Sequence, residues 1–233
     1  MKNTMVLGLA LTFGLIAFIV SYLGDHLHID NAESRHQARS YAAGFVVTYI
    51  FLELIPTSIP DNGGTDLFFF FILLGFVVFH LLEKFIYQHA KGSRLRRELR
   101  EEHMAVFSLY HILVGMSFMF FLQRNIIEGI FFFIPLVLHD VLSSASIKYM
   151  YTPMKRTTLF KFIFSSTTLL GIIIGFLTNF SLMFYQGLIG LMAGSLLHVV
   201  IRDVVPDKRE GVPLFFALGV MTMIGFLTVG FVS

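Results

Sequence analysis

Long apolar stretches alternate with short polar ones along the whole chain. A helix needs about 20 mostly apolar residues to cross a bilayer. Stretches of that kind fall near 4–23, 40–59, 67–87, 104–122, 126–147, 159–179, 183–204 and 213–232. The connections are short and hold nearly all the charge, the longest being 24–39 (DHLHIDNAESRHQARS) and 88–103 (QHAKGSRLRRELREEH). No connection has room for a separate domain, so the pattern predicts an all-α integral membrane protein: one polytopic domain over 1–233 with eight transmembrane helices. The first run follows Lys2 as a signal peptide would, but it is long for such a segment and no small-x-small cleavage site comes after it. It is read as the first span.

Cytoplasmic loops of membrane proteins carry an excess of Lys and Arg. The loops after spans one, three, five and seven, with their flanks, hold 15 of the 17 basic residues, including Arg39, Arg96, Arg156 and Lys208. Only Lys2 and Arg124 fall on the other side. The bias supports eight spans, because a missed or invented helix would scramble it. It predicts that both termini face away from the cytoplasm.

Span two reads Ala43-Gly44, then Glu53-Leu54-Ile55-Pro56, and span seven reads Ala193-Gly194, then Asp203-Val204-Val205-Pro206. Gly, acid and Pro recur at an offset of 150 residues. Spans two and seven cross in opposite directions under the charge-derived topology. The expectation is an inverted repeat of helices 1–3 and 6–8 flanking helices 4–5, the organisation of many secondary transporters.

Composition narrows the chemistry. Charged residues make up 14% of the chain against about 25% in a soluble domain, and 28 Phe suit a lipid-facing surface. With no Cys there is neither a disulfide nor a thiolate metal site, and with no Trp any interfacial aromatic belt rests on Tyr. No Walker or dinucleotide glycine pattern occurs. The basic run at 94–102 is read as an exposed helix extension that touches anionic lipid, and nucleic acid is not expected as a partner.

Ionisable groups inside a span are costly and mark functional sites. Span four carries His111, and span five carries Glu128, Pro135, then His139-Asp140 with Ser143, Ser144 and Ser146. Pro135 removes a backbone donor one turn before His139. His139 and Ser143 share a helix face, with Asp140 about 100° away. Imidazole and carboxylate suit zinc, iron or manganese, and a three-ligand site leaves a position open for exchange. His80 and Glu83 are read as a helix-end pair, His198 as a packing histidine, and Asp25, His26, His28, Asp30 and His36 as a solvated loop cluster.

Together A-A-G…E-L-I-P at 42–56, G-F-V-V-F-H-L-L-E-K at 75–84, Y-H-I-L-V-G at 110–115, P-L-V-L-H-D-V-L-S-S at 135–144 and A-G…R-D-V-V-P at 193–206 resemble the ZIP (zinc- and iron-regulated-transporter-like) family across nearly the whole chain. The resemblance implies a carrier that moves a divalent metal, zinc foremost, toward the cytoplasm. The metal is substrate, with no permanently bound cofactor and no enzymatic activity. The family's HNxxD motif on helix four falls on His111, Ile112 and Gly115, and its helix-five motif, HExxH or QNxxE, on His139, Asp140 and Ser143. His111, His139 and Asp140 are retained, while the Asn, the helix-four Asp and the second helix-five ligand are absent. One site of His111, His139, Asp140 and Ser143 is the expectation, in place of the usual two metals. The expected partners are a divalent metal ion, the lipid bilayer and, as an option, a second copy in a homodimer. Short loops and small size place the chain in a bacterial inner membrane. Two alternatives stand: a ZIP-like membrane protein with a structural or regulatory role and no transport, and a zinc-dependent intramembrane hydrolase. No HExxH is present to supply the latter.

Overall fold

The computed structural model describes residues 2–24, 31–59, 65–150, 162, 165–178, 181–204 and 211–232; some side chains within its helices are also outside the description. All regular structure among the described residues is helical. Helix α1 is Lys2–Gly24 and α2 is Ala32–Tyr49. A π-helical turn, Ile50–Leu54, follows α2 and leads into the short α3, Ile55–Ser58. Then come α4 (Thr65–His89), α5 (Gly92–Arg124), α6 (Ile126–Met150), α7 (Thr167–Leu177) and α8 (Leu182–Val199). A second π-helical turn, Val200–Val204, extends α8, and α9 is Pro213–Val232.

Thr4–Leu23, Glu33–Ser58, Thr65–His89 and Leu182–Arg202 are, among the described residues, long and apolar enough to cross a membrane; Ile126–Leu138, Thr167–Leu177 and Pro213–Thr228 are shorter apolar helices. This is the character of a multi-pass membrane protein. The outer surface agrees, since Leu73 (60% exposed), Phe85 (57%) and Met221 (66%) stand on faces with no protein cover. In water such continuous apolar faces would demand a partner. Hydroxyls inside the helices bond to carbonyls one turn back, Thr48 to Gly44 O at 2.7 Å and Ser195 to Leu191 O at 2.7 Å, which leaves few polar groups for a solvent to satisfy.

The described residues of two polar stretches read as connections are largely helical. Asn31 caps α2 by accepting from the Glu33 N–H at 3.0 Å, so that helix begins well before residue 40. Between α4 and α5 the chain turns within Ala90–Lys91, and Gly92 adopts φ +57°, a left-handed conformation that favours glycine. Asn125 caps α6 in the same manner as Asn31, at 2.9 Å from the Ile127 N–H.

The residues 41–50 and 191–200 match in burial position by position: buried throughout except at 41 and 47, and at 191 and 197, which are half-buried. Each stretch runs into its π turn at the same offset of 150 residues. The cause is in the sequence. Proline has no N–H to donate, so Pro56 interrupts the α-ladder, and the Ile55 N–H bonds to Ile50 O, five residues back. Pro206 stands at the same distance beyond the second π turn. Wide turns of this type are frequent at functional sites.

Interhelical packing repeats as well. Helix α2 lies along α9, and α4 lies along α8. A Cβ on Gly44 would sit 2.1 Å from Phe216 O, and one on Gly194 would sit 2.0 Å from Ile72 O. The reciprocal glycines complete both crossings, Gly219 facing Tyr41 O at 2.1 Å and Gly75 facing Leu191 O at 2.3 Å. Both pairs run parallel, with 212 near 40 and 216 near 44, and with Phe68 near Gly190 and Ile72 near Gly194. Helix α2 packs on the second π turn, and α3 packs on α8. The C-terminal turn of each segment therefore meets the helix of the other.

Candidate metal site between α5 and α6

The middle of the chain forms a hairpin. Helix α5 ends at Arg124 and α6 starts at Ile126. Rings interlock along it, Phe118 with Phe133 at 5.3 Å and Phe121 with Phe132 at 4.8 Å between centroids. At the turn, Gly129 packs so tightly on Leu122 that a Cβ there would lie 2.7 Å from Leu122 Cδ1. Continued along both helices, this antiparallel register sets residue 111 level with residues 139 and 140.

His111 is buried, with 3% of its surface exposed. Its neighbour on the other side is α7, which comes close because both surfaces carry glycine. A Cβ on Gly115 would be 2.2 Å from Thr168 O, and one on Gly171 would be 2.3 Å from Ile112 O. That proximity lets His111 Nδ1 meet Thr168 Oγ1 at 2.9 Å. The Tyr110 ring stands edge-on to the imidazole at 5.3 Å. A metal-ligating histidine characteristically engages its second ring nitrogen with a hydrogen-bond partner that fixes its orientation. Thr168 fills that position, and a metal would then be taken by Nε2.

The remaining expected ligands lie on α6. It is one continuous helix through Pro135, whose ring is buried beside Leu136. The backbone of His139, Asp140 and Ser143 is within this helix, but their side chains are outside the described residues. Helix α6 packs against α1, α2, α5 and the second π turn. Among the described residues no three metal-binding side chains converge.

Two groups acquire partners that sequence reasoning did not assign. Glu53 stands on the first π turn, half-buried, and within electrostatic reach of Glu128 of α6; Glu128 in turn lies 3.5 Å from Arg124. The only hint in the sequence is Pro56, which forces the wide turn. His198 does not stand alone. Its Nε2 is 3.4 Å from Glu83 Oε2, and its ring is 6.0 Å from that of His80. Glu83 thus meets a histidine of another helix, a pairing that spacing along the chain cannot reveal. Of the first-loop cluster, His36 is half-buried on α2, while Asp25, His26, His28 and Asp30 are outside the described residues.

No protein-family model and no curated protein sequence matches this chain.

Proposed function

We propose that the chain is a ZIP-like carrier of eight transmembrane helices that moves a divalent metal ion, zinc foremost, toward the cytoplasm of a bacterial cell. In this reading both termini lie outside the cytoplasm. Spans one to three (α1, α2–α3 and α4) and six to eight (α7, α8 and α9) form an inverted repeat around the α5–α6 hairpin, and the ion binds at His111, His139, Asp140 and Ser143. The observation that carries the reading is the recurrence of one burial pattern, one π turn and one glycine crossing in two segments 150 residues apart. Inverted repeats of this type characterise secondary transporters, with substrate held near mid-membrane where the helices are irregular. The hairpin register supports the location of the site by setting residue 111 level with 139 and 140.

Uptake of zinc into proteoliposomes, read with an entrapped indicator, tests the reading. Wild type accumulates the ion and His139→Ala does not. Affinity falls at low pH, because protons compete with metal for the imidazole lone pair. The absent Asn and carboxylate ligands, where Ile112, Gly115 and Ser143 stand, favour a second reading: a relative that has lost transport and serves a structural or regulatory role. Binding without uptake selects that reading, and no binding of zinc, iron, manganese, cobalt or cadmium leaves only its structural form.

A further inference from the structure

The interface between α4 and α8 contains a buried acceptor with an uncommon surrounding. His198 is 3% exposed and lies between two phenylalanines, Phe76 edge-on at 5.7 Å and Phe79 at 6.5 Å. Among the described residues its Nε2 makes no hydrogen bond. Glu83 Oε2 lies 3.4 Å from it. That separation is long for a charge-assisted bond, which closes to about 2.7–2.9 Å. It matches instead two donors of one tetrahedral zinc-like ion, since bonds of about 2.0–2.1 Å at the tetrahedral angle place the donors about 3.3–3.4 Å apart. The third group, His80, stands one turn before Glu83 on the same helix with its ring 6.0 Å from that of His198.

From this geometry we infer a second divalent-metal site, at the ends of α4 and α8 nearest the basic connections, in which Glu83 Oε2 and His198 Nε2 are the protein ligands. His80 is exposed and stacked on Phe76 at 6.0 Å; it joins the set when its ring rotates inward, and water supplies the rest. The ligands are one carboxylate and one or two imidazoles, the donor set of zinc, cobalt or manganese. An ion held there ties α4 to α8 near their common end. This site shares no residue with the one between α5 and α6, so either stands if the other fails.

The recurrence supplies a variant that keeps the fold. Position 48 is the counterpart of 198 and carries Thr, whose hydroxyl bonds to Gly44 O at 2.7 Å. His198→Thr therefore reproduces packing the protein already contains. Glu83→Gln keeps the shape and hydrogen-bonding capacity of the side chain while removing the anionic donor. Purified full-length protein in detergent is titrated with Co²⁺, followed by ligand-field absorption and equilibrium dialysis; a chain without Cys has no thiolate background. The expected result is a low-symmetry, four- or five-coordinate Co²⁺ spectrum that survives in His139→Ala. Both E83Q and H198T should lose it with affinity falling by at least about 100-fold, beyond the loss that removing an outer-sphere partner causes. Two results overturn the inference: Co²⁺ binding in E83Q and H198T equal to wild type, or binding that disappears in His139→Ala alone. The second of these would support the α5–α6 site while removing this one.

Discussion

The glycine crossings give the sharpest test of how the helices are held. In Gly44→Ala the new Cβ would sit 2.1 Å from Phe216 O, and in Gly194→Ala 2.0 Å from Ile72 O. A carbon approaches a carbonyl oxygen no closer than about 3.3 Å in comfortable contact, so each crossing must open by about 1.2 Å. The obstructing atom is backbone, which no rotamer change can move aside. Overpacking of this type costs about 1–3 kcal/mol and sometimes more, and the rigid obstacle argues for about 3 kcal/mol. At about 2–4 °C per kcal/mol for a chain of this size, Tm should fall by about 6–12 °C. The assay is thermal loss of the monodisperse peak of a fluorescent-protein fusion in size-exclusion chromatography, because the chain has no Trp and no Cys to report directly. Gly75→Ala and Gly219→Ala, with Cβ contacts of 2.3 and 2.1 Å, should behave alike. Gly14→Ala should be milder, since it meets only the flexible ends of Leu169 and Ile172. Gly8→Ala and Gly225→Ala meet nothing within 4 Å and serve as controls. If G44A and G194A proved as harmless as G8A, the close crossings would not exist in the folded protein. Unequal losses within either matched pair would contradict the recurrence.

Three further outcomes follow from the same geometry. Single cysteines at 96, 156 or 208 should label only from the cytoplasmic side and those at 2 or 124 only from outside; labelling of position 96 from outside intact cells would reverse the topology. Thr168→Val removes the partner of His111 Nδ1, and since hydrogen bonds between membrane helices average below about 1 kcal/mol, Tm should drop by only a few degrees. Its metal affinity should nevertheless fall about 10–100-fold if His111 is a ligand, whereas Thr168→Ser should keep both properties; unchanged affinity in T168V would remove His111 from the site. Replacing His26 and His28 should leave most metal binding in place, and a loss comparable to that of His139→Ala would move the site to the first loop.

Much of this organisation was legible along the chain. Apolar runs give the helices directly, because burying or lipid-facing a 20-residue segment overrides local propensity. The 150-residue spacing of Gly44 with Gly194, and of Pro56 with Pro206, announced two matching segments. Other features were hidden. Helix α2 begins at Ala32 because Asn31 supplies a cap, a local bond that an average over hydrophobicity dilutes. The π turns follow from proline only once the surrounding helix is known to continue. The partnership of His198 with Glu83 depends on which helices are neighbours, and no one-dimensional pattern encodes that. The burial of His111 accords with its place inside a span, but Thr168 as its partner came only from the closeness of Gly115 and Gly171.

The two recurring segments are alike where packing constrains them and differ where chemistry is placed. Gly44 and Gly194 answer the same steric demand, as do Gly75 and Gly219 in the helices they cross. At neighbouring positions that demand relaxes. Thr48 satisfies its hydroxyl on its own helix, while its counterpart His198 has no such bond and turns to Glu83 on α4. Aligning Gly75 with Gly219 makes Leu227 the counterpart of Glu83 and Ile224 that of His80, so the second interface is apolar where the first is polar. A carboxylate and a buried imidazole set into an apolar crossing contribute nothing that Leu and Thr do not already provide to packing, and desolvating them is unfavourable. Their presence in one copy alone is therefore not explained by holding helices together. A ligand that offsets the desolvation explains it, and a cation is the ligand that a carboxylate beside an imidazole lone pair would recognise.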